Sequence, residues 1–329
     1  MTNGTIDWYF ITDQIYRKNF TPIIGSQLLL PSLFNDTQIE ALWAESIGYP
    51  LANRNDLAHI AQFYSITQQD RARAKARYLQ FLKRSLFELA EEDPQYDQAF
   101  LGQVRSELRG LTFSQLAAER LGRPDFGSDH PLTILASLDI PIYLTTSPFE
   151  LIEAALRSVG KTPQTQVYSW QDGLVGGIPP EYHTDPDFEP DIQTPLVYHL
   201  HGLDVFPASL VLTEDDYLEF LINVTQDFNT SIVPSTIRNA LNTSLLLLLG
   251  YDAQSWDLRV LLQGLIKGDR PLRPRSFAIQ LNPSDREGIV DAVQFEAYLR
   301  EYFGQAHFDI FWGAADEFVQ TLWREWEAG

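Results

Sequence analysis

The stretch Leu245–Leu265 reads LLLLLGYDAQSWDLRVLLQGL, and its period changes halfway. The leucine run is short, continuously apolar and closed by Gly250, as a strand buried on both faces should be. From Asp257 to Lys267 the spacing turns helical. A doubly buried strand followed by a helix predicts one βα unit of a parallel sheet.

The same alternation recurs along the chain. Further apolar segments are Pro22–Gly25 (PIIG), Ile142–Thr146 (IYLTT), Gln166–Trp170 (QVYSW), Leu196–Leu200 (LVYHL), Ser276–Leu281 (SFAIQL) and Phe308–Trp312 (FDIFW). Helical patterns separate most of them: Pro148–Gly160, Thr213–Val224, and Ala314–Glu327 with Phe318, Leu322 and Trp326 on one stripe. The fold class this predicts is α/β: a doubly wound, mostly parallel Rossmann-like sheet of six or seven strands. Between the first strand and IYLTT the chain reads as helical. LAHIAQFYSI and DRARAKARYLQFLKRSLFELAEED carry helical spacing, with Tyr78, Leu82 and Leu89 available for one buried stripe. Residues 35–130 are therefore expected to form a helical insertion within a single domain spanning 1–329. Ile178–Pro195, with five prolines and the acids Glu181, Asp185, Asp187, Glu189 and Asp191, reads as a loop. It is either a plain connector or an acidic cover for the segment it leads into.

Composition narrows the function classes. With no cysteine among 329 residues, disulfides, iron–sulfur clusters and cysteine-ligated zinc are excluded. A net charge of −20 repels free nucleic acid and anionic membranes on average. Arg71, Arg73, Lys75, Arg77, Lys83 and Arg84 form a local basic exception, read either as a solvated helix face or as a docking patch for an acidic partner. The start, TNGTIDWYFITDQ, lacks the pattern of a signal peptide, and the longest strongly apolar run is LLLLLG, so a cytoplasmic protein without a membrane span is expected.

Ligands of open parallel sheets bind beyond the carboxyl ends of the strands. Four such ends carry small or polar residues: Gly25, Ser26 and Gln27; Thr145, Thr146 and Ser147; His201 and Gly202; Gly250 and Tyr251. Glycines there would let a ligand approach the backbone. His199 and His201 alternate along VYHLHGLD and so share one side of a strand. A metal pair is one reading, but no third ligand recurs at a sensible spacing, and no metal is expected. At the strand terminus His201 is the better general base, while His199 should pack away from the ligand; a purely structural His201 is the other reading. Thr213 and Asp216 in LVLTEDDY have capping-box spacing.

These segments, taken in order, resemble the bacterial sirtuin-like domain family. PLVYHLHGLDVFPASLVLTEDDYLEFL (Pro195–Leu221) is similar to that family's histidine–glycine segment, and TPIIGSQLLLP (Thr21–Pro31) lies where its first Gly-Ala-Gly phosphate loop falls. PIYLTTSPFELIEAAL (Pro141–Leu156) resembles its Thr-Thr-Asn-Tyr-Asp strand end, and Leu245–Leu265 its Gly-Tyr/Phe-Ser…Asp-Trp-x-x-Arg block. FDIFWGAADEFVQTLWREW resembles the family's last strand and helix, so the likeness runs along nearly the whole chain.

The resemblance implies NAD⁺ or ADP-ribose as ligand, with His201 and Ser147 as catalytic residues. Gly25, Ser26, Gln27, Thr145, Thr146, Gly202, Gly250, Tyr251 and Asp257 would bind the nucleotide. Ser147 stands where the family has asparagine, and Phe149 where it has aspartate. The cysteine zinc module of the deacylases is absent, which points away from acyl-lysine. Zinc-free members resemble defence effectors that hydrolyse NAD⁺ to nicotinamide and ADP-ribose. The expected activity is thus an antiphage NAD⁺ glycohydrolase, homo-oligomeric and controlled by a protein partner. The alternative is an inactive NAD or ADP-ribose sensor or scaffold that acts through a partner.

Overall fold

The computed structural model describes residues 6–34, 38–171, 173–174, 176–183, 185, 187–230, 233–266, 273–285 and 289–329. Seven strands form one sheet: β1 (Phe20–Ile24), β2 (Ile142–Thr145), β3 (Gln164–Val167), β4 (Leu196–His199), β5 (Leu245–Leu249), β6 (Ser276–Gln280) and β7 (Phe308–Trp312). Their order is β3-β4-β2-β1-β5-β6-β7 and every pairing is parallel. The five leucines of β5 are all buried, as are all five residues of β1. The doubly buried reading of the apolar runs therefore holds, and the fold is doubly wound α/β with helices on both faces.

Polar edge residues explain the displacement of β3, and β1 too begins two residues early, at Phe20. β3 starts two residues before the apolar run, at Gln164, because as an edge strand it needs only β4 as neighbour. Tyr168 and Trp170 leave the strand to pack, the indole Nε1 of Trp170 donating to the Ser209 carbonyl at 2.7 Å.

Between β1 and β2 run helices Ile39–Ser46, Leu57–Gln68, Arg71–Glu92 and Gln98–Glu107, then a π-helical turn, Gln115–Arg120. Of the residues expected to be helical here, 35–37 lie outside those described. Trp43, Tyr78, Leu82 and Leu86 are buried in one apolar cluster with Ile24, Leu247 and Leu249 of the sheet. The helices thus share the core on one face of the sheet. Leu89, expected in that stripe, is only partly buried against it.

The basic run on Arg71–Glu92 divides: Arg73, Arg77 and Arg84 are exposed, as on a solvated face, while Arg71 and Lys75 meet acids of another helix of the chain. Lys75 Nζ lies 3.0 Å from Asp216 Oδ1, and Arg71 Nη1 lies 2.9 Å from Glu219 Oε2. Lys83 donates to the Leu108 and Leu111 carbonyls. Both Asp216 and Glu219 belong to helix Glu214–Thr230, which opens on the expected capping box. Asp216 N–H donates to Thr213 Oγ1 (3.1 Å), and Thr213 N–H to Asp216 Oδ2 (2.9 Å).

The helix after β5 is regular from Trp256 to Leu261 and continues as a π-helical turn to Ile266. Lys267, expected as its last residue, lies outside the described residues. Among the described residues no helix is long and apolar enough to cross a membrane.

Candidate active site

The register of the central strands sets the site. Ile24 is level with Thr145 on one side and Leu249 on the other, and Thr145 is level with His199. Gly25, Thr146, Leu200 and Gly250 therefore leave the sheet together on one rim. Strand order also turns back at β1, between β2 and β5, which is where a crevice opens in such sheets.

A cleft of about 750 Å³ opens on that rim, within the usual range for small-molecule sites. Ser26, Gln27, Thr146, Phe149 and His201 line its floor, Tyr217 and Asp257 one side. The far wall, Glu40, Asn53, Asp56 and Tyr78, comes from the helical segment between β1 and β2. A second, open pocket of about 660 Å³ lies between helices Pro131–Ser137 and Ala315–Ala328, and none of the strand-end groups reaches it. The strand-end polar groups gather in the rim cleft and not in this second pocket.

His201 follows β4 directly and is 3% exposed. Its ring meets Tyr217 and Phe220 edge-on, at centroid distances of 5.5 and 4.7 Å. Burial against these rings pushes its pKa down to about 3, so it is neutral at physiological pH. Nδ1 lies 3.7 Å from Asp257 Oδ1, beyond a hydrogen bond, and Nε2 has no partner among the described residues. A neutral imidazole with an unpaired nitrogen at a cleft can accept a proton there.

Asp257 sits in the first turn of its helix, where a carboxylate complements the dipole. The Tyr217 hydroxyl donates to its Oδ1. Burial pushes the Asp257 pKa up to about 6, although the Tyr217 bond pulls the other way.

His199 turns away from the cleft and is fully buried. Its Nδ1 lies 2.9 Å from the Ser147 carbonyl and its Nε2 2.8 Å from Glu153 Oε1. Burial alone would lower its pKa, but the buried Glu153 carboxylate more than offsets this and raises it. Its two ring nitrogens, one on the Ser147 carbonyl and one on the Glu153 carboxylate, tie the turn after β2 to helix Leu151–Ser158.

That turn carries the other strand-end groups. Thr145 Oγ1 donates to the Ile24 carbonyl and accepts from Ser147 N–H, so it stitches β2 to β1. Thr146 Oγ1 donates to Tyr251 Oη at 3.1 Å. Ser147 is fully buried, and its hydroxyl has no partner among the described residues and does not line the cleft. Phe149 does line it, and packs on Phe113 of the helical segment with ring centroids 4.5 Å apart.

The strand-end glycines act differently from the expectation of close ligand approach. Gly202 has φ +82°, and a Cβ there would stand 2.2 Å from the Ser209 carbonyl oxygen. A Cβ on Gly25 would meet the Gly250 carbonyl at 2.4 Å, and one on Gly250 (φ +72°) would meet Leu28 N at 2.5 Å. The space that each leaves is filled by the protein's own backbone, so they let the rim loops close on one another.

Of the residues singled out from sequence, Ser26, Gln27, Thr146, His201 and Asp257 meet in the cleft lining, while Gly25, Thr145, Ser147, Gly202, Gly250 and Tyr251 stand behind it. Tyr217, Glu40, Asn53, Asp56 and Tyr78 were not foreseen. Tyr217 follows the capping box, but nothing local signals its contact with a side chain forty positions on. Among the described residues no group of three or more His, Asp or Glu could hold a metal ion.

Residues 141–304 match the family model of the SIR2-like domain, which supports a sirtuin-like domain there and an NAD-related activity in general terms. The matched segment includes β2, β4 and β5, and with them Ser147, His201 and Asp257. No curated protein was found to match the chain.

Proposed function

We propose that the cleft binds NAD⁺ and hydrolyses it to nicotinamide and ADP-ribose. The observation that carries this reading is His201: neutral, buried, and with Nε2 unpaired among the described residues, in the lining of a cleft that the SIR2-like segment helps to build. In the reaction the C1′–N bond of the nicotinamide ribose breaks, and its electron pair goes to the pyridinium nitrogen, which becomes neutral. A water oxygen then bonds C1′, and its proton passes to His201 Nε2 and on to solvent. Ser26, Gln27, Thr146 and Asp257 are the nucleotide contacts on this reading. Gly25, Thr145, Gly202, Gly250 and Tyr251 shape the cleft from behind. Residues 1–329 act as one sirtuin-like domain, with the helical segment supplying the far wall.

By its resemblance this is a cytoplasmic defence effector, homo-oligomeric and released by a protein partner, and no metal takes part. A chelator should leave it unaffected. The deciding experiment incubates the purified protein with NAD⁺ and follows nicotinamide. His201→Ala should lower turnover by about 10²- to 10⁴-fold while the fold is kept, as for loss of a general base.

One observation favours a second reading, a binding-only sensor of NAD or ADP-ribose. The Ser147 hydroxyl, at the family's asparagine position, is shut away from the cleft, and Phe149 replaces the aspartate with a packed ring. Wild-type protein that binds ADP-ribose yet releases no nicotinamide, even beside its natural partner, decides for that reading. Ser147→Asn, which puts the family's side chain back, should then be the change that restores turnover.

A further inference from the structure

Asp257 is a carboxylate held at the cleft without a cation. Its side chain is 23% exposed, and the one nitrogen within ion-pair distance among the described residues belongs to the neutral His201. The other titratable groups that feel its charge are phenols: Tyr217 from helix Glu214–Thr230, Tyr78 from helix Arg71–Glu92, and Tyr251 after β5. All three have their pKa pushed up, by burial first; the Asp257 charge adds to this, second for Tyr217, after Glu40 for Tyr78, and for Tyr251 against a Thr146 hydrogen bond that pulls the other way, so they stay neutral. No Lys or Arg among the described residues lines the cleft, whose other carboxylates are Glu40, Asp56 and Asp252. A partly buried, uncompensated charge costs stability. The Tyr217 bond offsets part of that cost and fixes where the charge points.

A cationic ligand would satisfy such a site. The hydrolysis proposed above moves positive charge from the pyridinium nitrogen onto the ribose ring as C1′–N breaks, beside the histidine that receives the proton. We propose that Asp257, aimed by Tyr217, is the carboxylate that stabilises this developing cation, and that it serves in place of the aspartate whose position Phe149 occupies. The role rests on the hydrolase reading. It also assigns His201 its orientation: an N–H on Nδ1 faces Asp257 and leaves the Nε2 lone pair for water. The 3.7 Å separation closes to a hydrogen bond as positive charge builds, in line with catalytic contacts that tighten only when ligand is bound.

The test compares wild type, Asp257→Asn, Asp257→Glu and Tyr217→Phe by nicotinamide release and by ADP-ribose binding, from about pH 5 to 8. ADP-ribose carries no cationic ring, so its affinity reports the folded cleft. Asp257→Asn should lower kcat by about 10²-fold or more, the scale for a lost preorganised group, and weaken ADP-ribose binding far less than it lowers kcat. Asp257→Glu should recover part of the rate, and Tyr217→Phe should lose less than Asp257→Asn. The wild-type rate should fall as the pH drops through about 6, where Asp257 takes up its proton, and that limb should vanish in Asp257→Asn. A kcat in Asp257→Asn equal to wild type, an acid limb that survives the change, or a rate loss no larger than the loss of ADP-ribose affinity overturns the role and leaves the hydrolase reading standing. Wild-type protein without turnover overturns the hydrolase reading, and this role with it.

Discussion

Lys75→Met replaces a nearly isosteric stem but deletes a charge that is 3% exposed and 3.0 Å from a fully buried carboxylate. At that separation two unit charges attract by about 5 kcal/mol at an effective dielectric near 20. The net value of the pair is smaller, because both charges gave up water. Breaking it from one side, however, leaves Asp216 uncompensated, at a cost of about 3–5 kcal/mol. Arg71 Nη1, 3.4 Å from the same Oδ1, and the Leu212 and Thr213 amides on Oδ2 limit the damage. About 3 kcal/mol is therefore expected. With a urea slope of roughly 3 kcal/mol per molar for a chain this size, the unfolding midpoint should drop by about 1 M. Adding Asp216→Asn should recover part of the loss by removing the orphaned charge. Tyr217 follows Asp216 directly, so ADP-ribose binding should weaken as well. A Lys75→Met midpoint within about 0.2 M of wild type would refute the idea that this pair locks the helical segment onto the cleft.

Gly202→Ala puts a methyl into the Ser209 carbonyl at a positive φ, so its soluble yield and thermal midpoint should fall far more than those of Gly102→Ala, which meets nothing within 4 Å. His201 has its folded pKa depressed from 6.5 to about 3. The unfolded chain therefore binds the proton first, and the histidine's stability contribution, present above about pH 6.5, is lost as pH falls toward about 3. Denaturation of His201→Gln beside wild type should show the variant gaining, relatively, about 3 kcal/mol between about pH 6.5 and 4. Glu40, Asp56, Asp252 and Asp257 line the cleft, so the added 2′-phosphate of NADP⁺ should weaken binding at least tenfold relative to NAD⁺, as calorimetry would read it.

Burial on both faces made the sheet legible. β5 and β1 are apolar at nearly every position and buried at all of them, unlike a strand with one wet face. β3 blurred because an edge strand tolerates Gln164 and Thr165. The rim was legible too, since glycine and threonine at strand ends are local signals. Their contacts were not: Gly202 makes room for Ser209, and Ser147 lies buried, because those partners come from other loops. Nothing in the spacing pairs Tyr217 with Asp257, or brings Glu40 and Asp56 across to His201, because the helices that carry them reach the cleft only through tertiary packing. The basic run was read from charge alone, which cannot say whether the acidic partner lies in another molecule or on helix Glu214–Thr230.

The strand order has a consequence for how the protein is made. β1 leaves the ribosome first of the seven, yet it lies at the middle of the sheet, between β2 and β5. Its second neighbour does not exist until Leu249 has been added, which at about 5–20 residues per second means a wait of roughly 10–45 s. Meanwhile one edge of an apolar strand stays unpaired, the state in which a nascent chain is most open to wrong partners. The helices that follow β1 and pack over Ile24 are synthesised during that interval. They can cover its face but not its edge, so truncated chains that end before Leu245 should depend on chaperones to remain in solution.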